Sequence, residues 1–310
     1  MRASGSSRPD GRGPANRRGG AYSATVPLYR LADDLPEIRD AVLVASFDGW
    51  VDAAEAASRA VGLVAGGGRK IATFDPDAVF DYRSRRPVLD VQDGRLSELT
   101  WPELCIHHTR AGRRDLLIFS GAEPDLRWQE LAADAVELVK RLGVVQWVSL
   151  GAVPGAVAHT RSVPVMVTAA HDGLLAPGDR AGPVGLLRVP SAALSVLEMA
   201  VTAAGTPAVG FYAQVPPYAS IGYAAASIAL IDRLARHLDV TLGIEELVED
   251  ERQQRTRYDA AVAGDARLRE TVARLESAGD IDAEQLPSGD ELAREIERFL
   301  RRQGEGGETP

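Results

Sequence analysis

AVLVASFDGWVDAAEAASRAVGLVAGGG, residues 41–68, contains a complete β–α unit, and its reading decides the fold. AVLVASF (41–47) is an unbroken apolar run of strand length, the pattern of a strand buried on both faces. The chain turns at Gly49, and Asp52 stands where a side-chain oxygen can accept the free N–H groups of a helix start. The Ala-rich stretch that follows predicts a helix to about Ala65, ended by Gly66–Gly68, since glycine takes the left-handed conformation cheaply. Such a turn can hold a phosphate on the helix N-terminus. Here Asp48, Asp52 and Glu55 place negative charge at that end, and the closely spaced glycines, Lys and Ser/Thr of a phosphate loop are missing. AGGGRK (65–70) has glycines and Lys70 but leaves a helix to enter a strand, the reverse of the required order. The turn therefore reads as a structural corner, with Trp50 covering apolar surface nearby.

The same alternation continues outward. KIATFD (70–75) reads as a second strand, and the alternating residues of VLDV and ELCIHH, with a DG between them, predict antiparallel strands. DLLIFSG (115–121), VVQWVSLGA (144–152), PVMVTAA (164–170) and AVGFYAQVP (208–216) are further strands. Helices are predicted from Trp128 to Leu142, with Leu131, Val136, Val139 and Leu142 inward, from Pro190–Ser191 to Gly205, and from Tyr223 to His237. Strands alternating with helices of this length imply an α/β sandwich on a mixed, mostly parallel sheet. The expected organisation is a loose tail at 1–24, an α/β/α domain at 25–243, a charged helical extension at 244–303 and a loose end at 304–310. Within the extension, Ser288 and Glu291 have the spacing of a capping box ahead of Leu292, Ile296 and Leu300.

Composition narrows the function classes. In 310 residues, 45% are hydrophobic and 25% charged, ordinary values for a chain with a sizeable core. No apolar run approaches the roughly 18 residues of a membrane helix, and the N-terminal stretch lacks the apolar segment of a secretory signal. The single cysteine, Cys105, excludes an internal disulfide framework and suits a reducing cytoplasm. Residues 1–20 carry five Arg and one Asp, whereas residues 244–310 carry 18 acidic and 10 basic side chains, within a net charge of −9. An acidic body of this kind repels nucleic-acid phosphate, so neither nucleic acid nor membrane is an expected partner.

Catalytic and metal constellations do not assemble. Cys105, His107 and His108 cluster on one strand, but the second ligand pair of a structural zinc site is missing. Ser120 before Gly121 lacks the preceding glycine of a nucleophile elbow. The carboxylate pairs Asp33/Asp34, Asp250/Glu251 and Asp290/Glu291 read as solvated faces. No catalytic residue, metal ligand or cofactor is assigned. GAVPGAVAHTRSVPVMVTA is more distinctive, because it places His159, Thr160 and Arg161 beyond the carboxyl end of a sheet strand, where α/β ligand sites form. The same residues also suit a subunit contact. AQVPPYASIGYAAA puts Tyr218 and Tyr223 in a strand–helix loop, a composition typical of interfaces. Asp48, Trp50, His159, Thr160, Arg161 and Tyr218 are the candidate ligand or interface residues.

FDGWVDA, EPDLRW, LGAVPGAVAHTRSVPV and VPPYASIGYAAASIALIDRL, in that order, resemble the proteasome assembly chaperone two family. The spacing is similar to the version in high-GC actinobacteria, including a charged extension ending LPSGDELAREIERFLR, and the resemblance spans about residues 28–303. It implies a nucleoside-phosphorylase-like three-layer α/β/α fold with a C-terminal helical subdomain, homo-oligomers, and relatives that assist or bind the proteasome without catalysis. The chain ends Glu308-Thr309-Pro310, unlike the hydrophobic-Tyr-X tail with which such proteins dock on the ring. Some related archaeal proteins are labelled ATP-grasp enzymes; with only Lys70 and Lys140 as lysines and no glycine-rich loop, no nucleotide cofactor is expected. The expectation is a non-catalytic, homo-oligomeric, cytoplasmic protein that binds other proteins and is proteasome-related. The alternative is an enzyme or sensor holding a small anionic or nucleoside ligand at the carboxyl ends of the strands.

Overall fold

Burial on both faces makes AVLVASFD a central strand. In the computed structural model, which describes residues 26–282 apart from Gly178, Arg180 and Val184, all but its last residue is buried. The strands are β1 (Tyr29–Leu31), β2 (Ala41–Asp48), β3 (Arg69–Phe74), β4 (Val88–Gln92), β5 (Arg95–Thr100), β6 (Leu104–Ala111), β7 (Arg114–Ala122), β8 (Val144–Pro154), β9 (Val165–Ala169) and β10 (Ala208–Val215). The helices are α1 (Ala56–Ala65), α2 (Pro76–Val79), α3 (Trp128–Arg141), α4 (Ala193–Ala203), α5 (Ala224–Leu238), α6 (Glu245–Gly264) and α7 (Ala266–Asp282).

Eight strands form one sheet in the order β1-β3-β6-β7-β2-β8-β10-β9. The centre, β7-β2-β8-β10, is parallel, and the flanks pair antiparallel. β3, β7, β2, β8 and β10 all run the same way, so the sheet is mixed and mostly parallel in direction. Along β2, Leu43, Ala45 and Phe47 join one core with α3 and α4, and Val42 and Val44 join the other with α1 and α5. This alternation is the strand period of two acting on a sheet covered on both sides, which gives a three-layer α/β/α architecture. Ala56, Ala57 and Ala60 are buried without bulk, and the Ser227 hydroxyl donates to the Ala56 carbonyl at 2.8 Å, so α1 and α5 lie close together.

Two local readings change. The Asp93-Gly94 turn joins β4 to β5, in register Leu89↔Leu99, and the pair stands as a separate two-stranded ribbon. ELCIHH instead belongs to β6 and pairs with β3 and β7 in the main sheet. A two-residue DG loop closes strands that abut it on both sides, and RLSELT is the abutting one. The second change concerns α1, which starts four residues after Asp52, behind a 3-10 turn at Ala53–Glu55. Asp52 still caps it, because Oδ1 accepts the N–H groups of Ala57 (2.7 Å) and Ser58 (3.2 Å).

After α5 the chain returns across the carboxyl ends of the strands as α6 and α7. α6 fully buries only Leu247 and is held otherwise by polar groups and the Tyr258 ring. Gln254 accepts the Ala224 N–H and donates to the Gly222 carbonyl, supplying from α6 the cap that α5 lacks at Tyr223. Arg59 on α1 donates to Gly222 and pairs with Asp250. α7 adds a small apolar contact, in which Val272 and Leu275 pack with Ala158. The capping box at Ser288 and Glu291 lies outside the described residues.

Candidate functional site

The carboxyl ends of the parallel strands hold two groups of polar residues. The first surrounds the corner after β2. Gly49 has φ +124°, a conformation that requires glycine, and a Cβ there would also stand 2.7 Å from Glu123 Oε2 and displace that carboxylate. Glu123, just past β7, uses each oxygen once: Oε2 accepts the Trp50 N–H at 3.0 Å and Oε1 the Ala193 N–H of α4 at 2.8 Å. Its own N–H donates to Asp48 Oδ1 at 3.1 Å, and Asp48 pairs with Arg85 at 2.7 Å. The crevice where the connections after β2 and β7 leave to opposite faces is the usual ligand position in such sheets. Here the protein's own carboxylate sits on the backbone N–H groups available to an anion.

Asp52 fills the equivalent place on α1. It is 5% exposed, and burial raises its pKa above the usual carboxylate range, against the pull of its hydrogen bonds. Among the described residues, Ser46 Oγ, Asp52 Oδ2 and Arg85 Nε are buried without a hydrogen-bond partner. Trp50 is partly buried against the α3/α4 core.

The second group lies under α6 and α7. Past Pro154, Gly155 crosses so near Gln214 that a Cβ would meet its Cβ at 2.7 Å. The loop then delivers His159 into a buried position. Tyr218 Oη accepts the His159 backbone N–H at 2.9 Å and lies 2.7 Å from Nδ1. Burial pushes the Tyr218 hydroxyl up. On the other side of the ring, Nε2 lies 3.2 Å from Asp259 Oδ1. Tyr258 of α6 lies 5.3 Å, ring centre to ring centre, from His159 and 6.0 Å from Tyr218, and it hydrogen-bonds Ser220 at 3.0 Å. Arg255 donates to the His159 carbonyl, and Thr160 donates to Glu276 of α7 at 2.5 Å.

His159, Thr160 and Tyr218 are thus brought together and joined to the helical extension. Arg161 is exposed beside them, its N–H on the Ala158 carbonyl at 3.1 Å. Asp48 and Trp50 belong to the other group and bond to Arg85 and Glu123. Sequence reasoning missed Glu123, Tyr258, Asp259 and Gln254. A usable signal existed for one of them: Tyr258 is the only aromatic residue in residues 244–282, and a lone ring in a polar helix marks its contact face.

The remaining chemistry is muted. Cys105 lies 3.6 Å from His107 Nδ1, but burial, with Glu103 adding to it, pushes the thiol up to about 11. A thiol of that kind is un-ionised at neutral pH and a poor nucleophile. Burial also lowers the His107 pKa. Among the described residues, no group of three or more His, Cys, Asp or Glu side chains is placed to hold a metal, and no helix is long and apolar enough to cross a membrane.

The PAC2 family model matches residues 46–262, from within β2 to within α6. The chain belongs to the PAC2 family. Solved PAC2-like structures resemble it over most of its length. A Mycobacterium tuberculosis protein of unknown function is 29% identical, with a TM-score of 0.79 over 87% of this chain and 96% of that one. A proteasome-assembly chaperone homologue from M. tuberculosis is 33% identical, with a TM-score of 0.68 over 74% of this chain and 99% of that one. A PAC2 family protein from Streptomyces avermitilis is 32% identical, with a TM-score of 0.66 over 75% and 100%. No curated protein matches the chain in sequence.

Proposed function

We propose that this PAC2 protein is a non-catalytic, self-associating cytoplasmic factor that binds other proteins in the manner of an assembly chaperone, with proteasome subunits as the partner class. Family membership and the likeness to a proteasome-assembly chaperone homologue support the class. The observation that carries the non-catalytic reading is the roof over the strand ends. His159 spends both ring nitrogens and its backbone N–H on Tyr218 and Asp259, and Glu123 occupies the crevice beside β2. Polar groups engaged in this way stabilise the fold and leave little with which to bind or transform a substrate.

The test uses the full chain as bait with purified proteasome α- and β-subunits in analytical gel filtration. Co-elution with unassembled subunits is expected. If none occurs, and thermal-shift screening with phosphate, nucleosides and nucleotides instead raises the melting temperature in a manner abolished by Arg161→Ala, the small-ligand alternative replaces this reading.

A further inference from the structure

We infer that the β4–β5 ribbon is the surface through which one copy of this chain binds another. This deepens the self-association part of the reading above and rests on it. Every residue of both strands is exposed. The register places Leu89 opposite Leu99 and Val91 opposite Leu96, and cross-strand partners share a face. One face of the ribbon is therefore wholly aliphatic, with Leu89 46%, Val91 59%, Leu96 74% and Leu99 47% exposed. The other face carries Asp90 opposite Glu98 and Gln92 opposite Arg95. A two-stranded ribbon is marginal by itself and gains stability when its apolar face is covered.

Area and charge both point to a second copy as the cover. With Trp101, which is also exposed, the ribbon offers roughly 400–500 Å² of apolar surface, the upper range of patches on monomeric proteins. Two such patches together remove roughly 800–1,000 Å², which with a polar rim reaches the size of a specific interface. The ribbon, residues 88–100, holds Asp90, Asp93 and Glu98 against Arg95. Its stem holds Arg83, Arg85 and Arg86; Arg85 is paired with Asp48, and Arg83 and Arg86 are exposed. Packed face to face and antiparallel, two ribbons set the Asp93 turn of each beside the basic stem of the other. A single chain thus carries both halves of a self-complementary contact.

The experiment measures molar mass by light scattering across a wide concentration range. It compares the full-length chain with Leu89→Ser/Leu99→Ser and with Arg83→Glu/Arg86→Glu, all monitored by circular dichroism for an unchanged fold. The expected result is an oligomeric parent chain and a rise of about tenfold or more in dissociation constant for each variant, the effect of removing interface anchors. Mixing the Arg83→Glu/Arg86→Glu chain with an Asp93→Lys chain is expected to restore association. An oligomeric parent with equally oligomeric variants overturns the ribbon assignment and leaves self-association standing. A parent chain that is monomeric throughout overturns both. A monomeric parent that loses capture of proteasome subunits on Leu89→Ser/Leu99→Ser assigns the ribbon to the foreign partner and overturns the second copy as occupant.

Discussion

Asp52 holds Oδ1 on the N–H groups of Ala57 and Ser58, while Oδ2, equally shut from water, meets no donor. Its folded-state pKa is raised by burial. A carboxyl shifted in this direction contributes most below its unfolded-state pKa of about 3.9, and that contribution is lost as pH rises through the folded-state value. Asp52→Asn keeps an oxygen for the cap and removes the buried charge, so it is expected to match or exceed the parent chain in stability at about pH 7, with the smallest difference in acid. Asp52→Ala loses the cap and is expected to cost about 1 kcal/mol or more. Urea denaturation of the three chains at several pH values checks both. Glu198 obeys the same sign: it accepts from Ser149, which accepts from Trp147, and burial raises its pKa. Glu198→Gln is expected to flatten the decline of melting temperature as pH rises above the ordinary carboxylate range. At this scale the sequence disclosed His159, Thr160 and Tyr218 by their place after strands. It could not disclose Asp259 or Glu276, which stand 100 and 116 positions away, because no local pattern states which helix face folds back onto which loop.

The strands that form the parallel centre were legible because a segment covered on both faces must be largely apolar, and AVLVASF, DLLIFSG, VVQWVSLGA and AVGFYAQVP are, with only one or two polar residues each. Of the ribbon, β4 was legible as a strand but β5 and the pairing were not, since alternation looks alike in a free hairpin and in a sheet edge. The attachment of α6 was invisible, since a helix polar on nearly every side has no apolar stripe to announce a docking face. Its hold through single polar contacts makes a specific expectation. His159→Ala leaves Tyr218 and Asp259 without their partner and is expected to lower the cost of local opening by about 2–3 kcal/mol. Hydrogen exchange in α6 and α7 should then quicken by roughly 30- to 160-fold while β2, β7 and β8 keep their protection. Tyr258→Phe, which keeps the ring and loses only the bonds to Ser220, is expected to cost about 1 kcal/mol or less by the same measurement.

Both large cores are built chiefly from residues ahead of Gly243, whereas α6 and α7 contribute little beyond Leu247, Val272 and Leu275. A chain ending at Gly243 is therefore expected to keep its circular dichroism and cooperative melting, at a melting temperature several degrees lower, roughly what about 1–2 kcal/mol represents for a domain of this size. It is also expected to bind a hydrophobic dye, because Tyr218, Tyr223 and Ala158 lose their cover. If that chain unfolds instead, the helices are part of the fold rather than a roof upon it. The outer margins of the main sheet have a consequence for growth. One margin is β1, three residues long; the other is β9, which the chain at Ala181 and Gly182 already overlaps at Val167. Neither leaves a long row of backbone groups to which a further strand could be sewn. Copies of this molecule accordingly find no seam along the main sheet on which a fibre could lengthen.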